Sequence, residues 1–318
     1  MFRMLTALAA ATLALSGCAA FSDTVPRRDD GELNVVAAFY PLQFVAERVG
    51  GDLVTVSDLT RPGQEPHDLE LSPKQTAEVA LADLVVFEKG LQASVDAAVK
   101  QSGAEIVDAA AVAGLEPMSH DGHDDVDHHG TGETADEEAD EAHDHGDQDP
   151  HFWQDPLKLA KVADAVADRL ATLDPAHAST YHSNAEALTA DLTELDQEYT
   201  TGLADCERNT IVVSHNAFGY LSRYGLYIEP IAGLSPDAEP TPADLGRLHD
   251  LIDSEGITTV FGERLVPVEL SETLAHDMGI TTAVLDPIEG LSDETADEDY
   301  LSLMRANLKA LKEANGCR

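Results

Sequence analysis

Short runs of apolar, β-branched residues alternate along this chain with stretches whose apolar positions recur every three or four residues. In the first half the runs at 33–39, 53–59, 84–87 and 105–107 read as strands. The stretches at 41–49, opened by Pro41, at 73–81, behind the cap Ser72, and at 91–100 read as helices. The second half repeats the plan, with strands expected at 210–214, 226–231, 258–261 and 281–285 and helices at 218–224, 242–254, 267–278 and 297–313. Alternation of this kind implies parallel strands joined by right-handed helical crossovers. The expected class is α/β, with two doubly wound parallel-sheet domains.

Between the halves the pattern is helical without strand signals, over 156–173 and again from Pro175 to about Ala204. The second stretch would be about 45 Å long as one helix at roughly 1.5 Å per residue. A long rigid helix joining the two domains is therefore expected, and a stiff connector of this kind restricts hinge closure.

The N-terminus has a different pattern. Arg3 precedes an apolar run over 5–15, too short to span a bilayer and suited to a secretory signal, which ends in Leu15-Ser16-Gly17-Cys18. This looks like a bacterial lipobox, so residues 1–17 are expected to be a signal peptide. Residues 18–32 would then be a tether lipidated at Cys18, leaving the protein extracytoplasmic and anchored to the cell membrane. The alternative is a secretion signal cleaved elsewhere. The roughly 285 residues beyond that point suffice for two domains. We divide them into an N-terminal α/β domain at 33–155, linking helices at 156–205 and a C-terminal α/β domain at 206–318. With Cys18 set aside, Cys206 and Cys317 remain in a compartment where disulfides persist, and one bridge between them is expected, the alternative being two free thiols.

Charge narrows the partners. The formal net charge is -41, which argues against nucleic acid. Part of it lies in a His/Asp/Glu-rich loop at 118–149, where residues 120–149 hold thirteen carboxylates, six of the chain's thirteen histidines and no lysine or arginine. The histidines are His120, His123, His128, His129, His143 and His145. Too polar to build a core, this tract suits solvation or accessory capture of metal ions.

In open α/β sheets ligands bind at the carboxyl ends of strands. Three histidines stand in such loops: His67 after the second strand, His151 in the loop ending the first half, and His215 directly behind the strand at 210–214. After the last strand, Leu285-Asp286-Pro287-Ile288-Glu289 offers a carboxylate from Asp286 or Glu289. Imidazoles with one carboxylate make a tetrahedral Zn²⁺ site. By contrast His177, His182, His249 and His276 fall on helices and read as solvated or packing residues.

The segments Glu65-Pro66-His67-Asp68, Asp149-Pro150-His151-Phe152-Trp153, Ser214-His215-Asn216-Ala217-Phe218-Gly219-Tyr220 and Leu285-Asp286-Pro287 resemble the metal-binding solute-binding proteins of bacterial ABC importers. The zinc branch, of the ZnuA and AdcA type, is the one they resemble, over essentially the whole chain from about Leu33. The resemblance implies a metal site between the two domains with His67, His151 and His215 as ligands. Glu289 is favoured as the fourth, and Asp286, Glu65 or a water are the alternatives. It also implies a monomeric receptor, not an enzyme, that carries Zn²⁺ as transported ligand to a membrane permease driven by a cytoplasmic ATPase. Manganese-binding relatives use a glutamate where His215 stands here. Three imidazoles favour zinc over manganese in the Irving–Williams order, although Cu²⁺ and Ni²⁺ would compete. The competing readings are a manganese receptor of the same fold, an extracellular zinc hydrolase, for which the chain lacks a His-Glu-x-x-His helix, and a cell-adhesion protein.

Overall fold

The computed structural model describes residues 32–118, 148–234, 236 and 238–318. The expectations for the signal segment, for Cys18 and for the six histidines between 120 and 145 lie outside these residues.

In the first lobe β1 (Leu33–Ala37), α1 (Tyr40–Gly50), β2 (Val54–Asp58), α2 (Pro73–Leu81), β3 (Leu84–Phe87), α3 (Ala93–Gln101), β4 (Glu105–Asp108) and α4 (Ala109–Ala113) follow one another. The strands form a parallel sheet in the order β2-β1-β3-β4. Its central strands β1 and β3 are apolar because helices cover both faces: Val35, Val36, Ala37, Leu84, Val85 and Val86 are all buried. Helix α2 begins at a capping box, in which Ser72 Oγ accepts from Gln75 N and the Gln75 side chain accepts from Ser72 N. Two short strands, β5 (Glu116–Pro117) and β6 (Gln148–Asp149), pair antiparallel and bring the chain to His151.

Two helices come next, α5 (Pro156–Leu173) and α6 (Ala178–Gly202). The second lobe has β7 (Thr210–Val213), β8 (Tyr227–Pro230), α7 (Pro242–Glu255), β9 (Thr259–Gly262), α8 (Glu269–Met278), β10 (Thr281–Val284) and α9 (Tyr300–Asn315). Its parallel sheet has the order β10-β9-β7-β8, which reproduces the strand order of the first lobe when each lobe is counted from its own first strand. In both lobes the chain reverses direction across the sheet beside the first strand, the place where open α/β sheets leave a crevice.

Several boundaries differ from the sequence expectation for local reasons. The long connector is 25 residues, about 37 Å, because Pro175–His177 form a separate 3₁₀ turn. It does not stand free: α5 and α6 pack along each other, and α1 packs on both. The expected helix at 218–224 is a 3₁₀ segment, Gly219–Tyr224, ended by Gly225 in the left-handed region at φ 86°. The last helix begins at Tyr300 instead of 297 because Asp299 caps it, its side chain accepting from Ser302 N at 2.8 Å.

One apolar core runs through both lobes and the helix pair, from Phe39 and Trp153 through Tyr181 and Tyr199 to Phe218 and Tyr300. A smaller one, including Val212, Ile252, Val260 and Leu274, fills the outer side of the second lobe. Cys206 and Cys317 are joined by a disulfide across 111 residues, tying the end of the chain to the entry of β7.

Candidate metal centre

Four loops at the carboxyl ends of strands converge between the lobes. His67 comes from the loop behind β2, His151 from the end of the β5–β6 ribbon, His215 from the residues after β7, and Glu289 from the loop behind β10. One ligand atom from each lies within 4.8 Å of the others, and all four residues are buried. Glu289 Oε1 stands 3.3 Å from His67 Nε2, 3.3 Å from His151 Nε2 and 3.6 Å from His215 Nε2. The Nε2 atoms of His67 and His151 are 3.3 Å apart.

The far side of two rings is fixed by carboxylates. Asp149 Oδ1 is 2.8 Å from His151 Nδ1 and also accepts from the His151 backbone N–H at 2.9 Å. Glu263, at the end of β9, lies 2.6 Å from His215 Nδ1 and accepts from Ser214 Oγ as well. Carboxylates on Nδ1 hold a proton there, so that Nε2 of each ring is the atom directed at Glu289 and available to a metal once its own proton leaves. Neither residue was assigned a role from the sequence. Asp149 sits two residues before a ligand and could have been suspected; Glu263 comes from a different strand and could not.

Asp286 is close in sequence but turned away. Its Oδ1 accepts from Ile288 N at 2.8 Å and its Oδ2 is 3.2 Å from Arg264 Nε. Burial, partly offset by these partners, pushes its carboxyl up to about 6. Glu65 caps its own turn, accepting from the backbone N–H of His67 at 3.0 Å, and its nearest approach to His67 Nε2 is 3.9 Å. Of the helix histidines, His177 and His182 face solvent beside Asp174 and Asp168, and His276 is exposed.

Opposed charges in a dry place shift the protonation of the cluster. Burial works against a charged His215, but Glu263, with a smaller share from Glu289 at its longer distance, outweighs it and pushes the imidazole up to about 10. Burial also opposes protonation of His151, and Asp149 with Glu289 raises it nonetheless. For Glu289 burial pushes upward, yet the three imidazoles hold its carboxyl well below the usual carboxylate range. The metal-free cluster therefore stores protons on imidazole and negative charge on Glu289.

Two α/β lobes with a buried His₃Glu donor set in the crevice define a metal-binding α/β protein. The family of zinc-uptake complex component A, periplasmic, ZnuA, matches residues 35–314, and the chain belongs to it. The high-affinity zinc uptake system protein ZnuA of Bacillus subtilis (strain 168) is 32% identical over 315 residues, covering 96% of this chain and 95% of that protein. The zinc-binding lipoprotein AdcA of Streptococcus pneumoniae (strain R6) is 34% identical over 291 residues, 90% of this chain. The chain spans only 56% of the length of that relative. Among solved structures, the laminin-binding protein Lmb of Streptococcus agalactiae, described as bifunctional with adhesin and metal-transporting activity, superposes with a TM-score of 0.75 at 27% identity, covering 89% of this chain and 99% of that one. Zn(II)-bound AdcA of S. pneumoniae gives 0.72 at 31%, covering 90% and 58%.

Proposed function

We propose that this protein is an extracytoplasmic receptor that binds one Zn²⁺ through His67, His151, His215 and Glu289 and delivers it to an ABC permease. The observation that carries the reading is the spacing of the donors. Ligands at about 2.0–2.1 Å around a tetrahedral ion are separated by about 3.3–3.4 Å; the three Glu289 to imidazole separations of 3.3, 3.3 and 3.6 Å and the His67–His151 separation of 3.3 Å are near that edge length, and all four donors lie within 4.8 Å of one another. Three imidazole nitrogens favour zinc over manganese. A zinc hydrolase needs an open coordination position for water; Glu289, as fourth protein donor, leaves none, which favours capture over chemistry on the ligand.

Anchoring through Cys18, a monomeric state, and collection of zinc by the His/Asp/Glu-rich loop belong to the same proposal. They rest on the lipobox, on the resemblance and on composition respectively. The test is competitive zinc titration of the protein, of His215→Ala and of a variant lacking 120–148. One tight zinc, lost in His215→Ala and retained in the deletion, is expected. Tight binding that followed the deleted segment and ignored His215 would refute the reading.

A further inference from the structure

The segment that carries His151 also grips the loop that carries Glu289. Trp153 Nε1 and Gln154 Nε2 both donate to the carbonyl oxygen of Pro287, at 2.7 and 2.5 Å. Both donor side chains are fully buried. The donors follow His151 by two and three residues in the chain, and the acceptor precedes Glu289 by two, so a ligand from each lobe hangs on the same pair of bonds. Trp153 is itself held, its carbonyl accepting from Tyr300 Oη at 2.5 Å and its ring packed 5.3 Å from that of His151.

The gripped loop is strained. Ile288 has φ of 61°, a region that a β-branched residue avoids, and it is the one non-glycine residue with positive φ among the described residues. Such a turn persists only where its surroundings impose it. Here Asn307 brackets Asp286, accepting from its N–H at 2.9 Å and donating to its carbonyl at 2.6 Å, and Trp153 with Gln154 secures the next carbonyl. Gln154 shows an asymmetry: its Nε2 is used while its Oε1 is buried with no partner. An apolar side chain of the same length would avoid that unpaired acceptor but could not hold Pro287.

We infer that Trp153 and Gln154 are positioning residues for the fourth zinc donor, reaching across from the first lobe to set where Glu289 Oε1 stands. The inference rests on the zinc reading above.

The test uses the full chain with Gln154→Met, Trp153→Phe and Glu289→Gln, singly, and each of the first two combined with Glu289→Gln. Zinc dissociation into excess chelator, the visible absorption of the Co²⁺-substituted site and melting of the metal-free protein are measured. One zinc per chain is expected in Gln154→Met and Trp153→Phe, leaving roughly tenfold faster or more, as losses of supporting partners around a metal generally do. The Co²⁺ bands should weaken toward those of Glu289→Gln, and the combined variants should release zinc no faster than Glu289→Gln alone. The inference is overturned if both variants keep the wild-type dissociation rate and Co²⁺ spectrum while only the melting temperature drops. Equal acceleration with and without the Glu289→Gln substitution would overturn it too. If Glu289→Gln alone leaves zinc binding untouched, the donor set itself is wrong, a failure separate from the first two.

Discussion

Glu263 lies 2.6 Å from His215 Nδ1, on the side of the ring opposite the donor cluster, and only 3% of its surface is exposed. It therefore acts on zinc through the imidazole, raising the basicity of Nε2 and fixing the ring. Glu263→Gln should weaken zinc binding by roughly 10- to 100-fold without changing the stoichiometry. Competition against a chromogenic chelator measures it, and an unchanged affinity would show that His215 orients itself.

Zinc must displace the protons that the free cluster stores. The ordinary histidine value of about 6.5 would confine this competition to acid pH. Because His215 is pushed up to about 10 and His151 is raised as well, it extends through neutrality. Protonated imidazole cannot bind the ion, so affinity should fall steadily as pH drops from 8 to 6, by up to about tenfold per pH unit for each proton displaced. Calorimetry at pH 7 in buffers of different ionisation enthalpy should register proton release on binding, and the absence of release would contradict the raised imidazoles.

Gly219 begins the 3₁₀ segment that faces the β5–β6 ribbon, and a Cβ there would collide with Asp149 Oδ2. Since Asp149 orients His151, Gly219→Ala should loosen that ligand and weaken zinc binding about tenfold or more. The same measurement on Gly225→Ala, where a Cβ would meet nothing within 4 Å, should show lower stability from the left-handed backbone but wild-type affinity. Equal affinity losses in both would trace the effect to general loosening.

Asp58 ends β2 with Thr60 N–H as its partner, and burial pushes its carboxyl up to about 7. A carboxyl raised on folding favours the native state most below its unfolded value near 4, and that contribution is lost as pH rises through about 7. Asp58→Asn keeps the acceptor for Thr60 and removes the charge. Discounted for partial exposure of the group, it should stabilise the protein by about 1–3 kcal/mol at pH 8 and leave it unchanged at pH 4. Urea unfolding at the two values checks this.

The Cys206–Cys317 bridge closes a loop of 111 residues. Its removal in Cys206→Ser/Cys317→Ser should cost about 2–4 kcal/mol, while the metal site, formed by loops at the opposite ends of the strands, should retain its single zinc. Chemical unfolding with and without zinc separates the two effects.

Much of the fold was legible because its signals are local. The helices Pro73–Leu81 and Pro156–Leu173 begin and end where a cap, a proline and the apolar period place them. Strand β3 is a run of four residues that could only be buried. The 3₁₀ turn that shortens the connector and the one over Gly219–Tyr224 were not visible, since helical period over a few residues does not distinguish the two kinds of turn.

For the site, the sequence by itself determined the parts that a parallel α/β topology places without further information. Histidines in loops that follow strands are expected at the carboxyl edge of the sheets, and this singled out His67, His151 and His215 from the other described histidines. What it could not determine was which carboxylate of Asp286 and Glu289 faces them, or that Asp149 and Glu263 stand behind two of the rings. Those choices depend on a backbone turn at Ile288, on the Arg264 and Asn307 partners of Asp286, and on the meeting of two lobes. Only tertiary structure decides them, because side-chain contacts between residues such as Asp286 and Asn307, 21 positions apart, or His67 and Glu289, 222 positions apart, leave no periodic trace in the chain.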